Sequence, residues 1–537
     1  MMTPASTSSD RVAKWLFAVA LTLGAGLLLA TGPAPQLGYA SDTVGYLDAC
    51  HRASLGQWLG RDFTFPIGPS GLLPTTLAMK VVGPSVSALA VGGTFAWLAF
   101  GGLAWLTAQP RMPGWLAGAF ALFVAATAAA PYTLDFGSWR NLSYGMHYNR
   151  LAWAALCIAL PAAMLPRRDG AHSPWVPIGL GACTLWLWTN KPNYLLVMLP
   201  LVIYSWFLSP RKIAWLGRAA SGAAATMLGV WLCVRFSPAG YVRNHFAMAR
   251  STPAEGWSYD PHRVLVENLF PIAALVAIFF LVLRLAPGSS NKGRFALTLA
   301  AVTVATLVAN LTNCQFSEIP MWGALGWLAA ALAVQTLPLT RIARVAGTGG
   351  VACGLIFTWE PLASIAYSFA WKNYQASSSA PAVAVASPAW SGMPLRPKPG
   401  AAIGPAEDLG SASNYAAWLN DGLALLTQLH PPRTGVLCLD WTNPFPFATQ
   451  TIPPLGDELN WHVGRFIGPS NHPDLARLLA NASVVMEPLL SVQPVSLAFK
   501  RELFAPALAA HFTLAGETAH WRMWVRRTTP APVPADS

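Results

Sequence analysis

Charged residues are scarce in this chain of 537 residues, at 10% of the total, against about 25% in an ordinary soluble domain. Hydrophobic residues make up 54%, and the mean hydropathy is +0.43. This composition excludes a single soluble core of this length, because large soluble chains divide into domains with polar surfaces. It also excludes an intrinsically disordered chain, which is poor in apolar residues. The remaining class is a polytopic membrane protein.

Cysteine is also sparse, and its spacing shows no metal-binding pattern. The seven cysteines form neither a Cys-x-x-Cys pair nor a cysteine/histidine ligand set, which disfavours a zinc site. The chain has no glycine-rich phosphate loop and no internal repeat. A net charge of +12 would suggest nucleic acid binding in a soluble protein, but membrane proteins gather lysine and arginine in cytoplasmic loops. We therefore expect no nucleic acid partner.

Long apolar runs predict eleven transmembrane helices, because about 20 apolar residues cross the hydrocarbon core. The loops on one side all carry lysine or arginine, which predicts that this side is cytoplasmic. The sequence thus predicts a multi-pass protein of a bacterial inner membrane with a cytoplasmic N-terminus. Residues 70–82 are too short to span and are interpreted as an amphipathic helix at the interface. The predicted spans are 15–32, 83–108, 114–131, 150–165, 175–190, 193–208, 216–234, 266–285, 295–312, 320–337 and 346–367.

Composition and periodicity divide the chain into three parts. Residues 1–370 form the α-helical transmembrane domain. Residues 371–408 are rich in alanine, serine and proline and predict an extended, mobile linker. Residues 409–537 carry helix-spaced and strand-like patterns, which predict a small mixed α/β domain on the extracytoplasmic, periplasmic side.

Acidic residues concentrate in the first predicted outer loop, where Asp42 and Asp62 follow the first span. A carboxylate beside the membrane can accept a proton from a sugar hydroxyl, or hold a divalent cation. The alternative is that these are solvated loop acids and that Asp42 is a helix N-cap. On residue type alone both interpretations stay open, including a metal at Asp42 and Asp62.

The layout of this loop resembles that of the GT-C superfamily, the multi-span glycosyltransferases that take sugars from polyprenyl-phosphate donors. Aminoarabinose transferases and protein O-mannosyltransferases are members of this kind. The resemblance implies about a dozen helices, a C-terminal outer domain and a catalytic acid at Asp42, assisted by Asp62. Several members have a second acid close to the first, where this chain has Thr43. The matching residues are Asp42, Tyr46, Ala49, Gly56, Asp62, Phe63, Pro66, Gly68 and Pro69.

The second predicted outer loop mixes aromatic residues with Arg140, His147 and Arg150. Such a mixture suits sugar stacking and anion contact. It equally suits an aromatic belt with arginines reaching the headgroups. Tyr46 of the first loop is a further candidate for substrate contact.

Two further cations follow. Lys191 lies in a turn between two close spans, where a lysine is costly without a partner. The resemblance implies that Lys191 neutralises the donor phosphate, whereas the alternative is a lysine that extends to the interface. Arg243 belongs to a cationic third outer loop, 235–265, which suits either a substrate phosphate or anionic lipid headgroups.

These observations predict a membrane glycosyltransferase that moves a sugar from a polyprenyl-phosphate donor to an acceptor hydroxyl on the periplasmic face, with inversion. The expected partners are the lipid-linked donor, membrane lipid and an acceptor that is a glycan, lipid or protein. A divalent cation is the one cofactor considered. The alternative functions are a transporter or flippase of a lipid-linked or small anionic substrate, and a membrane scaffold that presents the tail domain. The clustering of acids outside the spans favours the transferase.

Overall fold

The computed structural model is mostly helical and ends in a small sheet, which confirms the predicted class of an α-helical polytopic protein with a mixed C-terminal region. The structure describes residues 8–132, 139–170, 173–251, 261–285, 292–313, 319–336, 341–356, 359–375, 383–393, 395–396, 409–428, 434–469 and 471–527.

The transmembrane region contains the helices α1 (Ser8–Thr31), α2 (Ala40–Ser54), α3 (Pro69–Val82), α4 (Ser87–Ala108), α5 (Gly114–Ala129), α6 (His147–Met164), α7 (Trp175–Asn190), α8 (Leu195–Leu208), α9 (Lys212–Cys233), α10 (Pro238–Ser251), α11 (Pro261–Leu285), α12 (Lys292–Asn313), α13 (Pro320–Thr336), α14 (Arg341–Ile356) and α15 (Trp359–Gln375). The C-terminal region contains α16 (Ala412–Gln428), α17 (Phe445–Thr449), α18 (Leu475–Ala480) and α19 (Pro494–His511). The strands are β1 (Phe63–Thr64), β2 (Val436–Cys438), β3 (Asp457–Glu458), β4 (Val484–Pro488), β5 (Phe512–Glu517) and β6 (Trp521–Arg526).

Five helical segments of the described chain are long and apolar enough to cross a membrane: α1, α4, α11, α12 and one in the region of α14 and α15. The predicted span 346–367 falls on two helices, α14 and α15. Pro361 lies in the first turn of α15, where proline is favoured because its missing N–H would be unpaired anyway. The sequence pattern did not separate these helices, because both are apolar.

Small residues let neighbouring helices approach closely in the apolar bundle. A Cβ on Gly181 of α7 would lie 1.9 Å from the Ala219 carbonyl oxygen of α9. A Cβ on Gly222 of α9 would lie 2.0 Å from the Ile178 carbonyl oxygen of α7. These reciprocal contacts show that α7 and α9 pack backbone to backbone, which is common where helices associate in lipid.

Helix α3 differs from the interfacial amphipathic helix that the sequence predicts. Its side chains at Leu72, Thr76 and Ala78 are completely buried, and Met79 is 3% exposed. Only its last turn, from Lys80 onward, is exposed. The helix packs against α2, α4, α7 and α9, so burial on most sides replaces the two-sided pattern of a surface helix.

The C-terminal region forms a four-stranded sheet in the order β2-β4-β6-β5. Strand β2 pairs with β4 in parallel, whereas β4 and β5 each pair with β6 in antiparallel fashion. Trp521 of β6 stacks on Trp418 of α16, with ring centroids 4.2 Å apart, and is completely buried. The boundaries of the predicted domains stay a prediction.

The described part of the predicted linker is packed rather than mobile. Trp390 is 3% exposed and lies against Phe447, with ring centroids 5.9 Å apart. The Val86 N–H donates to the Ala389 carbonyl oxygen at 2.8 Å. Composition alone predicted mobility, but the apolar side chains that the segment does contain, among them Trp390, Met393 and Leu395, are buried and anchor it.

The C-terminal region is attached to the first outer loop by a buried ion network. The Arg52 guanidinium bonds Asp48 at 2.9 Å and Asp457 at 3.0 Å, and all three side chains are at most 2% exposed. Strands β1 and β3 pair in parallel beside this network. The two regions are thus joined at the same end of the bundle, and the candidate site lies at their junction.

Candidate functional site

Asp42 lies in the first turn of α2, where an acid is favoured by the helix dipole. The N-cap is Tyr39, in the left-handed region at φ 54°, so Asp42 is not the cap. Burial raises the pKa of Asp42 to about 6, and the positive charge of Arg465 partly opposes this rise. A carboxylate with this pKa can take up and release a proton near neutral pH.

The second outer loop reaches the start of α2 at Gly145. A Cβ at this position would lie 2.9 Å from the Tyr39 Cβ and 3.4 Å from the Asp42 Cβ. The side-chain amide of Gln36 donates to the Ser143 hydroxyl and thereby fixes the approach of the two loops. A glycine at 145 is therefore required for the second loop to lie directly against the catalytic candidate.

The first turn of α6 continues from Gly145 and holds two of the predicted residues. His147 is 4% exposed, packs edge-on against Tyr46 and leaves its Nδ1 without a hydrogen-bond partner among the described residues. Arg150 is 1% exposed and donates from Nε to the Tyr132 carbonyl oxygen at 2.7 Å. Its Nη1 has no partner in the described chain. Arg150 is therefore buried within the protein with part of its donor capacity unused, and its depth in the membrane stays a prediction.

Tyr46 is 2% exposed, and its hydroxyl donates to the Gly71 carbonyl oxygen at 3.1 Å and contacts the Thr75 hydroxyl at 3.0 Å. These contacts anchor α2 to α3. The role of Tyr46 in substrate contact stays a prediction, and the function proposed below does not use it.

The Phe-Pro-Ile-Gly-Pro stretch of the first loop packs against the end of α7. The Gly68 N–H donates to the Asn190 carbonyl oxygen at 2.8 Å, and a Cβ on Gly68 would lie 2.0 Å from the Thr189 carbonyl oxygen. The Asn190 side chain donates to the Tyr148 carbonyl oxygen at 3.0 Å. This contact joins the first loop, α6 and the turn that carries Lys191.

The Lys191 ammonium lies 5.2 Å from the centre of the Tyr148 ring, a cation–π contact. Burial lowers the pKa of His245 on α10, and the Lys191 charge lowers it further, so these two side chains are close. Lys191, Tyr148 and His245 thus come from three separate outer hairpins. Together with residues 145–150 they form a polar wall that extends from Asp42 to Lys191.

Asp62 lies in a different environment, at the junction with the C-terminal region. Burial alone would raise its pKa, but the hydrogen bonds from Arg61, at 2.7 Å, and from the Trp58 N–H, at 2.9 Å, lower it. Arg477 adds a longer contact of 3.7 Å. Asp62 is therefore an ionised structural acceptor between cations.

A polar cavity of about 250 Å³ lies beside Asp62. Arg243, which the sequence singled out, is exposed at its rim, so the structure groups Arg243 with Asp62 and not with Lys191. Glu458 also lines this cavity, and burial raises its pKa to about 8. The other polar lining residues include Arg61, Asn244, Asn471, His472 and Arg477.

Arg140 lies apart from both groups. It is exposed and packs over the ring of its neighbour Trp139 at 4.9 Å. Trp139 in turn contacts Trp359 and Tyr367 of α15, with ring centroids 5.5 and 5.3 Å away. This contact set is that of an aromatic belt, which was the alternative interpretation of the second loop.

An apolar cavity of about 820 Å³ begins at Leu73 and Pro74, directly after Gly71. It continues between α4, α6 and α7 along Phe100, Ile158 and Trp186 toward the opposite end of the bundle. A volume of this size is typical of small-molecule pockets. Its lining is mostly apolar, with Arg111 and Arg167 at its far end.

The described residues contain no group of three or more histidine, cysteine, aspartate or glutamate side chains that could hold a metal ion. Asp42 has an arginine as its charged neighbour, and Asp62 has Arg61 and Arg477. A divalent cation at these two residues therefore finds no third acidic ligand in the described part of the chain.

Sequence reasoning missed Arg465 and Glu458. Both lie in the C-terminal region, about 400 residues from the loop that they contact. The Thr64 hydroxyl donates to the Glu458 carboxylate, and β1 pairs with β3 at this point. The one available signal was the acidic pair Asp457-Glu458 in an otherwise acid-poor chain.

The solved structures that are similar to this chain include two crystal structures of one protein. The crystal structure of ArnT from Cupriavidus metallidurans bound to undecaprenyl phosphate matches at a TM-score of 0.45 and 12% identity, covering 96% of this chain and 98% of that one. The apo structure of the same protein matches at a TM-score of 0.40 and 13% identity, with the same coverage. No family model and no curated protein matches the chain. Similarity at this level carries no functional inference.

Proposed function

We propose that this protein is a membrane glycosyltransferase that takes a sugar from a polyprenyl-phosphate donor and transfers it to an acceptor hydroxyl. The observation that carries the proposal is the polar wall from Asp42 to Lys191, which lies next to the apolar cavity that begins at Leu73. A polyprenyl-phosphate sugar needs a polar surface and an apolar surface side by side, because its polyprenyl tail stays in the bilayer while its anomeric carbon must be reached by the acceptor hydroxyl.

The donor phosphate binds at the Lys191 end of the wall. Lys191 supplies a positive charge, and the buried Arg150 supplies an Nη1 donor without a partner among the described residues. Charged donors stabilise the negative charge that develops on a phosphate leaving group. The polyprenyl tail occupies the cavity along Pro74, Phe100 and Trp186.

The acceptor hydroxyl binds at the Asp42 end. Asp42 accepts the proton of this hydroxyl, the oxygen forms a bond to the anomeric carbon, and the bond from that carbon to the phosphate oxygen breaks. The products are the glycosylated acceptor and polyprenyl phosphate. A single displacement of this kind inverts the anomeric carbon. Asp62 supports the loop and does not take part in proton transfer, since its pKa is held low by Arg61.

The test is sugar transfer by the full chain reconstituted in lipid vesicles with a polyprenyl-phosphate sugar. Asp42→Asn keeps the shape of the side chain and removes the base, so we expect turnover to fall by about 10²–10⁴. Donor binding should change little, because Asp42 does not contact the phosphate. Turnover near that of the wild type would remove Asp42 from the reaction.

The phosphate role is tested separately with Lys191→Gln. We expect the KM for the donor to rise by about tenfold or more, because a charge-assisted contact is lost. Lys80→Gln is the matched control, since Lys80 is an exposed lysine that bonds the Cys233 carbonyl oxygen at 2.8 Å. Equal KM values for the two variants would contradict the placement of the phosphate.

A further inference from the structure

A second large cavity, of about 820 Å³, lies at the opposite end of the bundle from Asp42. The ends of α6, α8, α11 and α13 and the starts of α7, α9 and α12 converge on it. Its walls are apolar at Trp215, Val282, Phe295 and Leu332. Its charged lining is cationic and contains no acidic residue among those the structure describes: Arg111, Arg167, Arg211, Arg218 and Lys292.

Arg111 is the central cation of this cavity. It is 4% exposed, and its Nε has no hydrogen-bond partner within the described residues. Its Nη1 donates to the Thr107 carbonyl oxygen at 2.7 Å, and its own carbonyl oxygen accepts from the Gln335 side chain. Thr107 therefore holds the guanidinium at Nη1, and Gln335 holds the backbone of Arg111.

The environment of Arg111 is unfavourable for a cation without a counterion. Burial lowers the pKa of Arg111 to about 10, the charge of Arg167 lowers it further, and the charge of Asp169 opposes only part of this fall. Arg167 is itself paired with Asp169, so it brings only part of its charge to the cavity. A buried cation with an unused donor is stabilised by an anion that accepts hydrogen bonds from it.

The cavity combines this anion site with apolar walls, which determines the class of ligand. Guanidinium groups bind phosphate oxygens in a planar, bidentate manner and are weakly hydrated. Basic pockets between membrane helices bind anionic lipid headgroups. A free phosphate would contact the cationic side chains but would make no contact with the apolar walls at Trp215, Phe295 and Leu332.

We propose that this cavity binds one anionic glycerophospholipid, with its phosphate at Arg111 and its acyl chains along α11, α12 and α13. Arg211 and Arg218 are exposed at the rim and contact the outer part of the headgroup. The cavity shares Arg111, Arg167 and Val176 with the far end of the apolar cavity between α4, α6 and α7, but its phosphate site lies at the opposite end of the bundle from Asp42 and takes no part in the proposed transfer. The bound lipid stabilises the packing of the helix ends at the basic face of the bundle.

The experiment is native mass spectrometry of the purified, delipidated full chain titrated with phosphatidylglycerol or phosphatidylcholine. We expect phosphatidylglycerol to bind at least about tenfold more tightly, because only it adds a net charge to the contacts. Arg111→Gln should abolish this preference. An unchanged preference in a monodisperse Arg111→Gln protein would overturn the proposal.

A rim variant keeps the test decisive if Arg111→Gln does not fold. Arg211→Gln/Arg218→Gln changes two exposed residues and should weaken the preference severalfold. Its matched control is Arg11→Gln/Lys14→Gln, which removes two exposed cations of α1 outside the cavity lining and should leave the preference intact. Equal effects of the two double variants would show a general surface charge effect and overturn the site.

Competition experiments with two other ligands test whether the cavity binds a free phosphate or the polyprenyl donor instead of a glycerophospholipid. Inorganic phosphate should not displace phosphatidylglycerol, since it makes no contact with the apolar walls; displacement would show a free-phosphate site and overturn the lipid assignment. Undecaprenyl phosphate should bind in addition to phosphatidylglycerol. Replacement of one by the other, one for one, would show that the cavity belongs to the donor and would also overturn the proposal.

Discussion

Asp42 and Asp62 are two acids of the same outer loop with opposite surroundings. Asp42 has one distant cation, Arg465, and burial raises its pKa to about 6. Asp62 bonds the adjacent Arg61 and a backbone N–H, which lower its pKa. A proton acceptor needs a pKa near the working pH, whereas an acceptor for structural ion pairs needs to stay ionised. The difference favours Asp42 over Asp62 as the proton acceptor of the proposed transfer, and it fits Asp62 as an attachment point for the C-terminal region.

The difference between the pKa values of Asp42 and Asp62 should have its largest effect on the pH dependence of sugar transfer. Asp42 acts as a base only when ionised, so kcat should fall about tenfold for each pH unit below 6. Asp62→Asn should leave this pH profile in place, since Asp62 is ionised throughout. The measurement is kcat between pH 4 and 8 for both proteins at about equal membrane insertion. A profile that changes in Asp62→Asn would reverse the two roles.

The position of Asp42 can be altered without changing its charge. Gly145→Ala places a Cβ 2.9 Å from the Tyr39 Cβ, so the second loop and α2 must separate. We expect kcat to fall about tenfold, because small displacements of a catalytic group are costly. Gly102→Ala is the matched control, since a Cβ there meets no atom within 4 Å. Similar losses in both variants would contradict the importance of this loop contact.

Asp62 should affect stability more than transfer. Asp62→Asn removes the pair with Arg61, whose side chain is 54% exposed, so we expect a loss of about 1 kcal/mol in the free energy of unfolding. Because the pKa of Asp62 is lowered in the folded protein, this stabilisation is present above about pH 4 and is lost as the pH falls. Chemical unfolding at neutral and acidic pH measures it. A variant equally destabilised at both pH values would show that charge is not the cause.

The sequence could predict the parts of this comparison that depend on neighbours along the chain. Apolar runs indicate a membrane protein, and Gly68 and Pro69 mark the tight contact before α3. The adjacency of Arg61 and Asp62 already suggests an ion pair. Local patterns carry this information because the interacting groups are a few residues apart.

The contacts across the chain could not be predicted. Arg465 acts on Asp42, and Arg52 bonds Asp457, from about 400 residues away. These contacts follow from how the C-terminal sheet packs on α2, which no local pattern specifies. The contacts of the Tyr46 hydroxyl could not be predicted either, because its partners, Gly71 and Thr75, lie on a helix that the sequence predicts at the interface.

The smallest expected effect concerns Arg465, whose charge partly opposes the rise in the pKa of Asp42. Arg465→Gln removes that charge, so the pKa of Asp42 should rise further and the fall in kcat should begin at a higher pH. Arg477→Gln is the control, because Arg477 contacts Asp62 at 3.7 Å and should leave the profile unchanged. The measurement is kcat as a function of pH for the two variants. A shift toward lower pH in Arg465→Gln, or an equal shift in Arg477→Gln, would show that another group controls the pH dependence.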